Sequence, residues 1–449
     1  MDAALLIVGI DQMAKVQHAN TIIVGAGPTG LAVAYHLDKR ATVLETGDRV
    51  GGLCRSLEIG GVVFDIGGHA FHTAHPQVRS FVCDDLGVDI HFQKRDAKIL
   101  FNGEVVPYPW QRFFHLISDR EVVEDCHKGL RARKQHSQPD NLHDLILARY
   151  GAGIARHFLF PYNRKLWMRT LDELSCNWVS QRIADSENTS DPAKRRPLDE
   201  TSVVGYPSRG GFGEIFRKMA EKIDDIRLRQ HVNAIDPTLK ILTTAAGDVF
   251  KWDRVISTIP IPELIGAIVG APKDMVTLAA ELPYLSLQVD FFVTKQPLDG
   301  VPHRLYSADP EFPPHKLAFN SLASEHETNK PWHSIIAETS ISDRSDQYCP
   351  DRTNRTVAGL SRGGFISGWS QILAHKYEMV KYAYPVQGHK VRHIMSLLNG
   401  YLESVGIHSI GRFGSWEYVN SDECLLMGAE LARHIDASPD RMQKRCNAS

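Results

Sequence analysis

The run NTIIVGAGPTGLAVAYHL, Asn20 to Leu37, restricts this chain more than any other stretch. Thr21 to Val24 read as a short buried strand, GAGPTG as a tight turn and the remainder as an amphipathic helix. Gly25, Gly27 and Gly30 fit GxGxxG, ATVLET (Ala41 to Thr46) supplies the next strand, and Glu45 ends it twenty residues after Gly25. Glycines so spaced let backbone approach a pyrophosphate at a helix N-terminus, and an acid at that distance accepts bonds from a ribose diol. GxGxxG alone is weak evidence. With strand, helix and acid in place it predicts a βαβ dinucleotide site.

GDRVGGLCRS follows directly, with Gly51, Gly52 and Arg55 where a nicotinamide dehydrogenase would begin its second crossover helix. A second glycine pair implies a second close approach to the cofactor and favours tightly held FAD over NAD; the plainer alternative is a type I′ or II turn. GVVFDIGGHAFHTAH then sets His69, His72 and His75 at intervals of three behind Gly67 and Gly68. Evenly spaced histidines suggest a metal, whereas two glycines before a histidine suggest backbone pressed on a flat ligand. The metal reading needs a fourth ligand with support, and no HExxH or Cys/His cluster accompanies it, so no metal is expected.

At 449 residues the chain exceeds one ordinary core and should divide into domains. Lys+Arg 51 against Asp+Glu 53 leaves no basic field of the kind that attracts nucleic acid, so an anionic ligand must be held by a local cluster. The cysteines are scattered without a CxxC pair, which argues against a disulfide framework and points to a reducing compartment. The opening apolar run is short and carries an acid, and no stretch reaches the length of a membrane span. A cytoplasmic protein without a membrane span is expected, with homo-oligomerisation left open.

From about 111 to 181 the pattern is helical, with Pro161 expected to break it. The polar stretch 184–200 reads as a mobile surface loop. YPSRGGFGEIFRKMAEKI and KWDRVISTIP return to the dinucleotide domain, short apolar runs over 282–384 suggest an antiparallel sheet, and the last segment adds a strand, a glycine turn and a closing helix. The expected fold is α/β: a Rossmann-like FAD-binding domain (18–90, 203–270, 388–435), an inserted helical domain (111–202) and an antiparallel β-sheet domain (91–110, 271–387).

Taken in order, these motifs resemble the UDP-galactopyranose mutase family, flavoenzymes on a scaffold shared with amine oxidases and protoporphyrinogen oxidase. GAGPTG, GDRVGG and VISTIP are generic to that scaffold; FDIGGH, VPYPWQ, PYNRKLW, the Trp178 to Arg182 stretch, YPSRGG, AYP and GRFGSWEY are more specific. The similarity runs from about Thr21 to Ile435. It implies that the Gly67–Gly68–His69 loop lies on the flavin, with Val232, Arg412 and Met427 as further FAD contacts. It also implies a nucleotide-sugar substrate of the UDP-galactose kind and a pyranose–furanose interconversion. There N5 of reduced flavin attacks the anomeric carbon and expels UDP, the sugar recloses and takes UDP back, and no net redox occurs. NAD(P)H is a candidate reductant.

By position in the family, Arg182 matches a diphosphate arginine and Tyr306, Tyr384 and Tyr418 match phosphate-facing tyrosines. Each tyrosine alone reads as well as a core residue with a satisfied hydroxyl. Tyr108, Gln111, Phe158, Asn163 and Trp167 match the nucleotide side of the pocket, with helix packing as their plainer reading, and Asn420 falls where some members carry an aspartate. Lys316 stands where the family usually has a second arginine, giving a point charge in place of a bidentate fork. Two alternatives stay open: an FAD-dependent oxidoreductase of the amine oxidase or protoporphyrinogen oxidase kind, and a flavin-binding regulatory protein without catalysis.

Overall fold

The computed structural model describes residues 16–37, 41–133, 139–176, 178–179, 183, 202–295, 300–328, 330–341 and 347–437. Strand Gln17–Val24 pairs in parallel with Ala41–Leu44 on one side and Val249–Ser257 on the other. Ile226–Arg227 extends this sheet in parallel beyond Ala41–Leu44, and Ile407–Ser409 runs parallel beside the end of Val249–Ser257. Ile241–Thr244 and Val232–Asp236 complete seven strands as an antiparallel extension. Ile22, Ile23 and Val24 are all buried, as a parallel strand covered on both faces requires. One cover is helix Pro28–His36 with the closing helix Ser421–Ala437 packed on it, where Gly428 permits the approach: a Cβ there would lie 2.6 Å from that of Ala32.

The second seven-stranded sheet runs Ile372–Pro385, Tyr284–Thr294, His333–Ile341, Lys316–Ala318, Arg304–Ser307, Ala97–Phe101, Glu104–Pro107. It is antiparallel except between Arg304–Ser307 and Ala97–Phe101. Every residue of Tyr284–Thr294 is buried, because both faces of the strand are covered. Leu287, Val289, Phe291 and Val293 share a core with Trp110 and Phe158 of the helical segment, while Phe292 packs with Val357 and Leu360 of helix Pro350–Arg362. This α/β architecture, with helices and two large sheets, is the one expected from the sequence.

Local expectations fare differently. Residues 91–94, placed by sequence with the antiparallel sheet, belong to strand Ile90–Lys94, which pairs instead with Val203–Pro207. Gly205 makes that possible, since a Cβ there would sit 2.4 Å from Ile90 Cγ2. Pro161 does not break its helix. Helix Leu142–Ile154 continues through a π-helical turn, Ala155–Leu159, into Phe160–Trp167, and Pro161 occupies the first turn of that last helix, where a missing N–H costs little. The kink lies at Gly151, whose φ of +74° suits glycine; a Cβ there would meet Gly129 O at 2.2 Å, so the helix turns where it crosses Arg120–Ala132.

Candidate functional site

The glycine turn after Gln17–Val24 forms one end of a cavity of about 630 Å³. Gly25 takes φ +103°, and Gly30 is forced by packing, since a Cβ on it would lie 2.0 Å from Gly25 O. Gly27 differs: a Cβ on it would meet nothing within 4 Å, so this residue faces open cavity. Glu45 is held in place by the N–H groups of Ala26 and Gly47, each 2.8 Å from one carboxylate oxygen, and each oxygen keeps a lone pair for a further donor. Gly51 and Gly52 both have positive φ, and a Cβ on Gly52 would come 3.2 Å from Gly27 Cα, so the second glycine pair packs on the first turn. Arg55 caps the turn through Gly52 O at 2.7 Å and pairs with Glu378 of the antiparallel sheet.

The other end of the cavity is built by sheet register. Tyr306 lies opposite Lys316, Lys316 opposite Glu338, Glu338 opposite Val289 and Val289 opposite Glu378, a single row across five strands with side chains on one face. All five line the cavity. Glu338 Oε1 accepts from Gly68 N–H at 2.7 Å and from Lys316 Nζ at 2.8 Å, and the Tyr384 hydroxyl stands 3.4 Å from Oε2. Arg304 donates to the carbonyls of His303, at 2.7 Å, and of His69. The Gly67–His69 loop is thus gripped from the sheet, and a Cβ on Gly68 would lie 2.7 Å from Ala318 Cβ.

Asp65, fully buried at the start of that loop, accepts from Ser56 Oγ at 2.6 Å, Tyr206 OH at 2.7 Å, Phe212 N–H at 2.9 Å and the Asn320 amide. The FDIGGH and YPSRGG motifs therefore meet in space, through a carboxylate whose role the sequence did not disclose.

Charge is concentrated at this end. Burial, then the neighbouring Lys316, hold His69 down to about 3, so it is a neutral ring stacked on Phe212 at 5.0 Å. Burial pushes Tyr306 up, but Arg95, Lys316 and Arg304 outweigh it and the phenol is lowered. Burial lowers Lys316, and Glu338 more than reverses it. Arg95 donates to Tyr306 OH at 3.1 Å and lies 4.2 Å above the Tyr108 ring. Arg412 sits about 5 Å from the rings of Tyr384 and Tyr418 and donates to Val419 O and Ala383 O.

Of the residues expected from sequence, His69, Lys316, Tyr306, Tyr384, Tyr418, Asn420, Gly25, Gly27, Glu45, Gly52, Arg55, Gly67, Gly68 and Arg412 line this one cavity. Arg182 and the 184–200 loop lie outside the described residues. Tyr108 and Trp167 stand behind the lining: Tyr108 under Arg95, and Trp167 edge-on to Tyr384 and Tyr418 at 6.1 and 5.6 Å. Gln111, Phe158 and Asn163 belong to the helical core rather than to the cavity wall. Phe158 stacks on Trp110, and Asn163 uses its amide on Leu159 O of its own helix at 2.8 Å. Val232 and Met427 also lie off the cavity, Val232 packed in the core of the first sheet and Met427 half-buried on the closing helix. His72 lines the cavity as well, but among the described residues no group of three His, Cys, Asp or Glu could hold a metal.

Sequence reasoning missed Arg95, Arg304 and Glu338. Glu338 carries a signal in retrospect: it is the one charge in HSIIAETSI, and a carboxylate in a fully buried strand needs a cation or N–H partners. Arg304 is two residues before Tyr306 on the same strand and so shares its face.

The cavity suits a dinucleotide. Gly27 and Glu45 present backbone and carboxylate at one end, while His69 Nδ1 and Arg412 Nε, both buried and without a protein partner, wait at the other. Residues 28–392 match the family described as flavin containing amine oxidoreductase. The chain is 41% identical over 105 residues to protoporphyrinogen oxidase 2 of Arabidopsis thaliana, covering 22% of this chain and 20% of that one. It is 35% identical over 289 residues to coproporphyrinogen III oxidase of Mycobacterium tuberculosis, covering 56% of this chain and 61% of the relative. These matches thus span between one fifth and about three fifths of those curated relatives. A crystal structure of reduced UDP-galactopyranose mutase superposes with a TM-score of 0.83 and 25% identity, over 93% of this chain and 95% of that one. No helix among the described residues is long and apolar enough to cross a membrane.

Proposed function

The chain belongs to the flavin-containing amine oxidoreductase family, and from that premise we propose that it is a flavin-dependent isomerase interconverting the pyranose and furanose forms of a nucleotide sugar of the UDP-galactose kind. The observation that carries this reading is the chemistry of the cavity beyond the Gly67–His69 loop. Arg95, Arg304 and Arg412 line it with the hydroxyls of Tyr306, Tyr384 and Tyr418, together with the Lys316–Glu338 and Arg55–Glu378 pairs and Asp96, so its cations outnumber its acids. Such a wall accommodates a diphosphate and repels a substrate amine, which enters an amine oxidase as a cation.

FAD would occupy the cradle of Gly25, Gly27, Glu45 and the Gly51–Gly52 turn, and in its reduced form it supplies a nucleophilic ring nitrogen for the anomeric carbon. The protein's share is electrostatic. Guanidinium groups and phenol donors fixed by packing hold a departing nucleoside diphosphate, and the aromatic layer of Trp167, Trp178, Tyr384 and Tyr418 limits water. Arg182 is assigned to the same diphosphate by the family resemblance.

The test is anaerobic incubation of dithionite- or NADPH-reduced protein with UDP-, GDP- and dTDP-sugars, with chromatography for furanose products. Many turnovers without further reductant support the isomerase. A second reading, oxidation of a carboxylate-bearing tetrapyrrole, is favoured by the 35% identity to a coproporphyrinogen III oxidase, and the same cations would meet propionates. Oxygen consumption with such a substrate, and no furanose from any sugar nucleotide, would replace the first reading by the second.

A further inference from the structure

The ion pair behind the Gly67–His69 loop is unusual in what surrounds it. Lys316 and Glu338 face one another across adjacent antiparallel strands, their side chains 15% and 2% exposed, at 2.8 Å. The carboxylate oxygen that takes the ammonium also takes the Gly68 N–H, so one atom joins the cation to the loop. A Cβ on Gly67 would lie 3.1 Å from that same oxygen, which leaves the loop no slack on this side.

The other groups around the carboxylate make no direct ion pair with it. His315 Nε2 stands 3.9 Å from Oε2, but its Nδ1 meets Ser340 Oγ at 3.2 Å, and the Ser340 hydroxyl donates to Leu166 O at 2.7 Å. Since the serine proton is used, Nδ1 carries the imidazole proton and Nε2 turns a bare lone pair to Glu338. Burial and the Lys316 charge keep that ring neutral, near 3. Tyr384 offers a neutral hydroxyl, His69 is neutral, and the Arg304 guanidinium is engaged by the carbonyls of His303 and His69. Among the described residues Lys316 is therefore the charged side chain in direct contact with Glu338, with Arg304 acting on the carboxylate only through space.

We propose that Lys316 and Glu338 form a charge-compensated clamp that holds the Gly67–His69 loop and sets the reduction potential of the bound flavin, with Glu338 as a positioning residue and Lys316 as its partner rather than as a free phosphate ligand. This rests on flavin occupying the cavity and not on the identity of the substrate. The sign of each perturbation follows from charge. Two-electron reduction leaves negative charge on the flavin, which an unpaired buried ammonium stabilises and an unpaired buried carboxylate opposes. Glu338→Gln should raise the potential and Lys316→Met should lower it.

The experiment is a substrate-free anaerobic potentiometric titration of FAD-loaded wild type, E338Q, K316M, K316R and the double variant K316M/E338Q. Each charge-removing single variant should move the reduction equilibrium at least tenfold, about 30 mV for a two-electron couple, in opposite directions. K316R and the double variant should lie within threefold of wild type. A parallel denaturant titration of the apoproteins reads the pair itself: either single variant strands a buried charge, so the double variant should unfold at higher denaturant than both. If one single variant fails to fold, the other and K316R still carry the sign prediction. Single variants within twofold of wild type, shifts of the same sign, or a double variant less stable than both singles would overturn the proposal. Wild type that cannot hold FAD would sink the flavin reading; wild type that holds it with unmoved variants sinks this inference alone.

Discussion

Alanine substitutions at Gly27 and Gly30, three residues apart in sequence, test the cradle most directly. Gly30 and Gly27 belong to one motif, yet the fold uses them differently. A Cβ on Gly30 would sit 2.0 Å from Gly25 O, backbone against backbone, where no rotamer change can relieve the overlap. Separating the two needs more than 1 Å of movement between helix Pro28–His36 and its strand, roughly; overpacking of this kind costs about 3 kcal/mol or more. Gly27, by contrast, has φ −75° and ψ 179°, which alanine accepts, and no protein atom within 4 Å of the new methyl.

Gly27→Ala loses unfolded-chain entropy, worth about 0.4–1 kcal/mol in favour of the fold, and loses a similar amount as a poorer N-cap. The apoprotein should therefore stay within about 1 kcal/mol of wild type. The methyl would occupy space that a pyrophosphate needs, and a clash of about 1–3 kcal/mol weakens FAD roughly ten- to hundredfold. Denaturant unfolding of the apoproteins and fluorescence titration with FAD measure the two effects separately. Wild-type FAD affinity in Gly27→Ala, or a Gly30→Ala apoprotein as stable as Gly27→Ala, would refute this account of the turn.

Asp65→Asn retains one acceptor where four donors converge, so two buried donors lose their partner; the expected loss is about 2–4 kcal/mol by chemical unfolding, and a change under about 0.5 kcal/mol would show that the Asp65 network is dispensable. Three histidines are depressed chiefly by burial, His69 and His315 to about 3 and His303 to about 4. Because the unfolded chain protonates first, their contribution is complete above about pH 6.5 and is lost as pH falls toward about 4 for His303 and about 3 for His69 and His315, at up to about 1.4 kcal/mol per pH unit for each. Urea midpoints at pH 8, 6.5 and 5 check this, and a midpoint that does not fall between pH 6.5 and 5 would contradict it. Purified protein should be yellow and release FAD on denaturation; failure to reconstitute with FAD would end the flavin reading.

The half of the site made from local geometry was legible in the sequence. A strand, a tight turn and a helix fix the relative positions of Gly25, Gly27, Gly30 and Glu45 within a few turns of chain, so their spacing carries their function: the structure places Gly25, Gly27 and Glu45 on one cavity and packs Gly30 against the turn behind it. Helix periodicity was less informative. It marks Phe158, Asn163 and Trp167 as inward-facing, but it does not say whether the inside is ligand or other side chains, and Asn163 proved to face its own helix.

What only the tertiary structure decided is the row Tyr306–Lys316–Glu338. Those residues come from three strands, and their meeting depends on sheet register, a relation between distant segments in which a slip of one residue would turn each side chain to the opposite face. Lys316 read from sequence was a cation offered to phosphate; placed opposite Glu338 it is a cation already paired, and the difference lies in a strand that begins seventeen residues further on, at His333.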